Sequence, residues 1–255
     1  MQKIIIVKNR KNIDMSVRIT IPDNATKLVF VEHGFSGAKD EKHILIVEEK
    51  FNQAGCVVVN IDATNSLNKS GSSSDGISFS SHYNDLEDVI NWAKGKYWYK
   101  EPFALVGHSL GACSVVYYAQ NYPEKVDLLL PLSFPWLSGK SKANQDGDDF
   151  QKEWEEKRYI EKTSSRTDRV LVAPYSFMED LFKYDFLLKA ENIKARTILI
   201  IGDLENEIRL EDNQKFLNML QCEKELHILS SVPHALAKTE EIAAKFSKVL
   251  DKILI

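Results

Sequence analysis

The sequence predicts an α/β fold in which a mostly parallel eight-stranded sheet is flanked by helices. Short β-branched runs alternate with amphipathic helical patterns along the 255 residues. Several of these runs are apolar throughout, as expected for strands that are covered on both faces. The composition, 44% hydrophobic and 27% charged, is typical of a globular chain that buries one sizeable core.

Eight strands are predicted from the β-branched runs. The first two, residues 4–7 and 17–21, follow each other without an intervening helix, so we expect them to pair antiparallel at the start of the sheet. The other six are predicted at residues 28–32, 57–61, 103–106, 126–132, 197–201 and 226–229.

Five helices are predicted where apolar residues recur every three or four positions. In the second of them, Leu86, Val89, Ile90 and Ala93 share one face. The five segments are residues 44–54, 83–94, 110–121, 210–220 and 239–254. Because a helix between two strands allows the strands to run parallel, this alternation favours a parallel sheet with helices on both sides.

Residues 136–190 interrupt the alternation. Between residues 140 and 169, sixteen of thirty residues are charged, which a solvated excursion would explain. A connection this long inside a compact fold is more often functional, however. We therefore expect a small cap at 136–190, inserted into a core domain of residues 1–135 and 191–255. Its second half offers an apolar face, formed by Val170, Leu171, Val172, Tyr175, Phe177, Phe182 and Phe186.

Charge and spacing exclude several classes of protein. The net charge of −4 argues against a nucleic-acid binder, which needs a basic face for phosphates. An apolar run of four residues at 4–7 is too short for a signal peptide or a membrane span, so we expect a cytoplasmic protein. No cofactor motif or metal-ligand spacing is found, and oligomeric state stays open. The cysteines include no CxxC pair and predict neither a disulfide framework nor a zinc ribbon: Cys56, Cys113 and Cys222.

The segment Gly107-His108-Ser109-Leu110-Gly111 indicates the chemistry. It lies directly between a predicted strand and a predicted helix. This strand-to-helix turn is so tight that the positions two before and two after the serine must lack side chains, which explains the two glycines. Ser109 is therefore the predicted nucleophile, held at the carboxyl edge of the sheet.

A serine hydroxyl needs a general base, and the base needs a carboxylate that fixes its tautomer. Among the six histidines, His234 follows the last predicted strand in a loop that can reach the sheet edge, so we predict it as the base. The loop after the penultimate strand supplies the acid. Spacing favours Glu205, with Asp203 as the alternative.

Two backbone N–H groups should stabilise the oxyanion that develops during acyl transfer. Leu110, directly after the nucleophile, supplies one at the start of a helix. The loop His33-Gly34-Phe35, after the third strand, supplies the other from Phe35, because Gly34 permits a close approach.

On these residues the chain resembles the α/β-hydrolase superfamily. It looks most like serine esterases of the feruloyl/cinnamoyl-esterase and monoacylglycerol-lipase type. The resemblance rests on His33-Gly34-Phe35, on the turn at Ser109, on the loop from Gly202 to Glu205, and on His234. The chain departs from the family in offering Glu205 where Asp is usual. The resemblance implies an α/β-hydrolase fold and a cap over the serine.

These observations predict a serine hydrolase that cleaves carboxylic esters through an acyl-enzyme intermediate. Phe35 and Trp136 suggest a pocket for a small or aromatic acyl group, so the partner is a small-molecule ester. A peptidase, amidase or thioesterase with the same triad remains an alternative. So does a hydrolase fold that only binds a ligand.

Overall fold

Ten strands lie in the part of the chain that the computed structural model describes, residues 1–66, 69–72, 76–135, 149–163, 170–205 and 210–254. Most are rich in β-branched or aromatic residues, which fit a pleated surface, whereas the strands at 126–132 and 224–229 are richer in leucine. They are β1 (Gln2–Lys8), β2 (Asp14–Thr20), β3 (Lys27–Glu32), β4 (Cys56–Asp62), β5 (Phe103–His108), β6 (Val126–Leu132), β7 (Tyr159–Thr163), β8 (Val170–Pro174), β9 (Arg196–Gly202) and β10 (Lys224–Leu229).

Eight of these strands form one sheet in the order β1-β2-β4-β3-β5-β6-β9-β10. Strand β2 runs antiparallel to both of its neighbours, β1 and β4. The other six strands of the sheet are parallel to one another: β4, β3, β5, β6, β9 and β10. The loops that follow β3, β5, β6, β9 and β10 therefore leave the sheet at one edge, where ligands bind in open α/β sheets.

Helices cover both faces of the sheet. The described α-helices are α1 (Lys42–Gln53), α2 (Phe79–Ala93), α3 (Leu110–Asn121), α4 (Asp149–Lys157), α5 (Ser176–Leu181), α6 (Leu210–Met219) and α7 (Glu240–Ile253). Helices α1 and α7 share one apolar core with the sheet, and α2 and α3 share the other. Because helices bury both faces, all seven residues of β4 and all six of β5 are buried.

The segment between β6 and β9 adds a small unit beside α2. Strands β7 and β8 pair antiparallel, and helices α4 and α5 flank them. Asp180 of α5 accepts hydrogen bonds from the backbone N–H and the hydroxyl of Ser80, at 2.8 Å each. This pair attaches the unit to the start of α2.

The structure confirms the predicted fold class. All eight predicted strands and all five predicted helices are present, with ends that differ by a few residues, and β1 and β2 pair antiparallel as expected. None of the helices among the described residues is long and apolar enough to cross a membrane. The proposed division into core and cap stays a prediction.

The expected apolar face of the insertion is only partly present. Tyr175, Phe177 and Phe186 are buried, as expected. Val170 and Val172 are exposed instead, because they lie on the outward face of the two-stranded β7–β8 hairpin. Alternation along a strand turns every second side chain away from the core, and the sequence pattern did not reveal this hairpin.

Candidate active site

Ser109 lies in a strained turn between the last residue of β5 and the first residue of α3. Its backbone has φ 54° and ψ −112°, a conformation that L-residues rarely adopt and that costs about 1–3 kcal/mol. Its N–H donates to the carbonyl of Leu132 on β6, at 2.9 Å, which holds the turn at the edge of the sheet. The turn therefore raises the Ser109 side chain above the start of α3.

The two glycines of this turn have no room for a side chain. A Cβ at Gly107 would lie 2.2 Å from the carbonyl oxygen of Gly111. A Cβ at Gly111 would lie 2.5 Å from the carbonyl oxygen of Glu32 on the neighbouring strand. Both obstacles are backbone atoms that cannot move without shifting β3 or α3, so the glycines are a steric requirement of the turn.

Gly107→Ala should therefore destabilise the protein by about 3 kcal/mol or more, as overpacking against backbone does. The matched control is Gly95→Ala, because a Cβ there meets nothing nearer than the Trp92 carbonyl at 3.9 Å. Urea unfolding of both variants measures the difference. Equal stability for the two variants would contradict the steric argument.

The structure brings His234 and Glu205 together. Nδ1 of His234 lies 2.9 Å from Oε2 of Glu205. The Glu205 side chain is only 2% exposed. Its other oxygen, Oε1, accepts from the hydroxyl of Ser133 and, at 3.2 Å, from the N–H of Gly202. Two hydrogen bonds thus hold Oε1 in place, and Oε2 faces the imidazole.

Asp203, the alternative acid, contacts the backbone instead. Its Oδ1 accepts from the N–H of Ser231 at 2.5 Å and from the N–H of Val232 at 3.3 Å. These two residues begin the loop that carries His234, so Asp203 shapes that loop. Of the two candidate acids, Glu205 is the one in contact with the imidazole.

The loop that carries His234 is attached to the turn that carries Ser109. Nε2 of His108 donates to the carbonyl oxygen of His234 at 3.0 Å, and the two rings lie 5.0 Å apart between centroids. The Ser133 hydroxyl reaches the same carbonyl at 3.4 Å. Residues that are 125 positions apart in the sequence are thereby held at the same edge of the sheet.

The loop after β3 faces the turn, as predicted. A Cβ at Gly34 would lie 3.0 Å from Cβ of Ser109, so the loop backbone approaches the serine closely. Leu110 is the first residue of α3, where an N–H has no acceptor within its own helix. The Phe35 ring packs on Phe177 of the insertion, with centroids 4.9 Å apart.

Trp154 completes this aromatic group. Its ring stacks on Phe177 at 5.7 Å with an interplanar angle of 10°, and it lies 6.4 Å from the ring of Phe35. The sequence pattern did not single out Trp154, because it occurs in the most highly charged stretch of the chain. Trp136, the predicted pocket residue, lies outside the described residues.

The family model described as Hydrolase_4, serine aminopeptidase S33, matches residues 23–172, which is more than half of the chain. The chain belongs to this family. The matched stretch includes the loop after β3 and the whole turn around Ser109, so the family assignment and the geometry concern the same residues. Its members are α/β hydrolases, in agreement with the resemblance seen in the sequence.

Solved structures of other α/β hydrolases share the whole fold of this S33-family chain. Est1E from Butyrivibrio proteoclasticus with bound ferulic acid has a TM-score of 0.78 at 17% identity, over 97% of this chain and 98% of that one. Mouse alpha/beta hydrolase domain-containing protein 10 has a TM-score of 0.74 at 17% identity, over 98% of each chain. An esterase from Pyrococcus furiosus has a TM-score of 0.70 at 20% identity, over 99% of this chain and 90% of that one. A search of curated proteins finds no match.

A buried polar pair lies beneath the site of this S33-family hydrolase. Nδ1 of His82 is 2.7 Å from Oε1 of Glu32, the last residue of β3, and both side chains are fully buried. Burial raises the pKa of Glu32 well above its usual range and lowers the pKa of His82 to about 4. His82 is therefore neutral at pH 7, because its pKa lies well below that pH.

Three further histidines, which the sequence pattern did not single out, are buried near the site. His43 and His82 are buried because α1 and α2 turn these positions toward the sheet. His108 is buried at the end of β5 and holds the His234 carbonyl. Polar residues in an amphipathic helix pattern are normally assigned to the exposed face, which is why the pattern missed the first two.

The lowered pKa of His82 predicts a loss of stability in acid. Between pH 6.5 and 5 the unfolded chain binds a proton at this position and the folded chain does not. Acidification from pH 7 to 5 should thus cost the wild-type protein about 2 kcal/mol more than it costs His82→Gln. Urea unfolding at both pH values measures this, and an equal pH effect in the two proteins would contradict it.

Proposed function

We propose that this chain is a serine esterase in which Ser109 is the nucleophile, His234 the general base and Glu205 the residue that orients the base. The observation that carries the proposal is the 2.9 Å contact between Nδ1 of His234 and a carboxylate that is itself fixed by Ser133 and Gly202. A carboxylate only accepts, so the proton of the neutral imidazole is on Nδ1. Nε2 is then left with a lone pair, as a general base requires.

The reaction proceeds by acyl transfer to the serine. Oγ of Ser109 forms a bond to the ester carbonyl carbon while its proton moves to Nε2 of His234. The N–H groups of Leu110 and Phe35 stabilise the negative oxygen of the tetrahedral intermediate. The bond to the leaving alcohol then breaks, and this alcohol takes the proton from Nε2. Water repeats the two steps and releases the acid from Ser109.

The substrate that we propose is an ester with a small or aromatic acyl group. Phe35, Phe177 and Trp154 form an aromatic group between the core and the insertion, and such side chains bind planar apolar groups well. The bound ferulic acid of Est1E, an aromatic acid on the same fold, supports this class. We propose residues 136–190 as a cap over the serine, with Trp136 as a further pocket residue.

The second candidate is a peptidase or amidase, which the family description, serine aminopeptidase, favours. A thioesterase would use the same triad. The three reactions share the nucleophile and differ in the leaving group, so the geometry around Ser109 supports all of them. The preference for ester, amide or thioester must be measured on three substrates that carry the same acyl group.

The experiment has two steps. A fluorophosphonate probe should modify the protein once, on Ser109, as located by peptide mass spectrometry. Turnover of p-nitrophenyl butyrate should then exceed turnover of the matched anilide and thioester by at least about tenfold in kcat/KM. Faster anilide or thioester cleavage would favour the second candidate. If the protein is neither labelled by the probe nor active on any of the three substrates, it is a hydrolase fold that binds a ligand without catalysis.

A further inference from the structure

Three side chains form a cluster on the α1 side of the Ser109 turn. Glu41 precedes α1, His43 lies in its first turn, and His108 ends β5. Each side chain offers one ligand atom, and these atoms all lie within 4.8 Å of one another. The proposed reaction makes no use of Glu41 or His43, so catalysis does not account for the cluster.

Two nitrogen atoms of this cluster are buried without a hydrogen-bond partner. They are Nε2 of His43 and Nδ1 of His108, and both residues are only 5% exposed. An unsatisfied buried polar atom costs about 1–3 kcal/mol, so native proteins rarely leave one. Two such atoms in neighbouring rings, with centroids 4.1 Å apart, indicate a shared electron-pair acceptor.

The hydrogen bond of His108 fixes which of its nitrogens can bind a metal ion. Its Nε2 lies 3.0 Å from the carbonyl oxygen of His234. A carbonyl oxygen only accepts, so Nε2 carries the proton and Nδ1 of the neutral ring has a lone pair. A histidine that ligates a metal typically donates its second N–H to a carbonyl or carboxylate in this way.

We propose that Oε2 of Glu41, Nε2 of His43 and Nδ1 of His108 bind one divalent transition-metal ion of the zinc type, with water as the fourth ligand. Two imidazoles and one carboxylate form a donor set that zinc takes, whereas calcium and magnesium prefer oxygen. Nε2 of His43 and Oε2 of Glu41 are 3.5 Å apart. Tetrahedral ligands about 2.0–2.2 Å from zinc are separated by about 3.4 Å.

The proposed metal site is accessible from solvent. The Glu41 side chain is 24% exposed, so the ion and its water can enter from that side. A cation on Nδ1 of His108 polarises the ring and makes Nε2–H a stronger donor to the His234 carbonyl. The ion would therefore stabilise the junction between the Ser109 turn and the His234 loop. The inference goes beyond the proposed function and does not depend on it.

The test uses Co²⁺ as a spectroscopic probe with the untagged full chain, freed of metal by a chelator. Titration should give one saturable site with the intense visible absorption of tetrahedral Co²⁺ and no thiolate charge-transfer band. Zn²⁺ should displace the Co²⁺ and raise Tm, because an ion that binds only the folded state stabilises it.

Two variants locate the site. Glu41→Gln and His43→Asn should each weaken Co²⁺ binding by at least about tenfold. The control is His227→Gln, which removes an imidazole 3.1 Å from Oε2 of Glu225 on β10, outside the cluster, and should bind Co²⁺ as the wild type does. Glu41→Gln keeps the size of a partly exposed side chain, so it tests the site even if His43→Asn fails to fold.

The proposal is overturned if the wild-type chain shows no saturable tetrahedral Co²⁺ signal. Wild-type affinity in Glu41→Gln would overturn it as well, as would an equal loss of affinity in His227→Gln. Since absorption and Tm are the readouts, a failure of this site is distinguishable from a failure of the proposed esterase function.

Discussion

Replacing Ser109 by alanine should lower kcat/KM for p-nitrophenyl butyrate by about 10⁴- to 10⁶-fold. In the proposed reaction this substitution removes the atom that forms the acyl-enzyme bond, and loss of a triad nucleophile has effects of this size. The remaining rate comes from the oxyanion donors and from binding alone. Among the described residues, Oγ of Ser109 makes no hydrogen bond that holds β5 to α3, so Tm should stay close to that of the wild type. Steady-state assays and thermal unfolding measure the two quantities.

The control for this variant is Ser247→Ala on α7. This helix packs on α1, on the other side of the molecule from the insertion, so turnover should stay within a factor of two or so. Ser109→Ala should also lose fluorophosphonate labelling, which Ser247→Ala retains. If Ser109→Ala still shows substantial turnover after repeated purification has removed contaminating esterases, the proposed nucleophile is refuted.

The order of strands and helices could be predicted because it depends on local patterns. Buried parallel strands such as β4 and β5 are apolar throughout, and a helix such as α3 follows directly from its glycine-flanked turn. The turn at Ser109 was predictable for a related reason. Its pattern of two glycines lies within five residues, although only the clash at Gly107 is with the turn itself and the clash at Gly111 is with the backbone of Glu32 on β3.

Contacts between distant segments could not be predicted in this way. Ser133 supports Glu205 because β6 and β9 are neighbours in the sheet, and no sequence pattern encodes that adjacency. His108 holds the carbonyl of His234, which is 126 positions away in the sequence. Only the position of these residues at strand ends could have suggested a role, since parallel strands place their carboxyl ends at one edge.

The sequence favoured one of the two acids but left the other open. Glu205 and Asp203 lie two residues apart in one loop, and spacing favours Glu205 without excluding Asp203. In the structure, the shorter side chain stays at the backbone of residues 231 and 232, while the longer one reaches the imidazole. Position in the loop and side-chain length together separate a loop-shaping carboxylate from one that contacts the candidate base.

Glu205→Gln should therefore lower kcat by about 10³- to 10⁴-fold and leave KM nearly unchanged. The hydroxyl of Ser133 and the N–H of Gly202 both donate to Oε1. The amide oxygen of glutamine must take that position, because it is the only acceptor of the new side chain. Its NH₂ group then faces Nδ1 of His234, which has to accept. The proton of the imidazole moves to Nε2, where it blocks transfer from Ser109.

Asp203→Asn is the matched comparison, since it removes one charge from the same loop. The asparagine oxygen can still accept from the N–H groups of Ser231 and Val232, so kcat should fall by less than about tenfold. The kcat and KM of both variants decide between the two carboxylates. A large loss in Asp203→Asn with near-normal turnover in Glu205→Gln would assign the role to Asp203. Such a result would also require the loop to rearrange during catalysis, because Oε2 of Glu205 now occupies the position beside Nδ1 of His234.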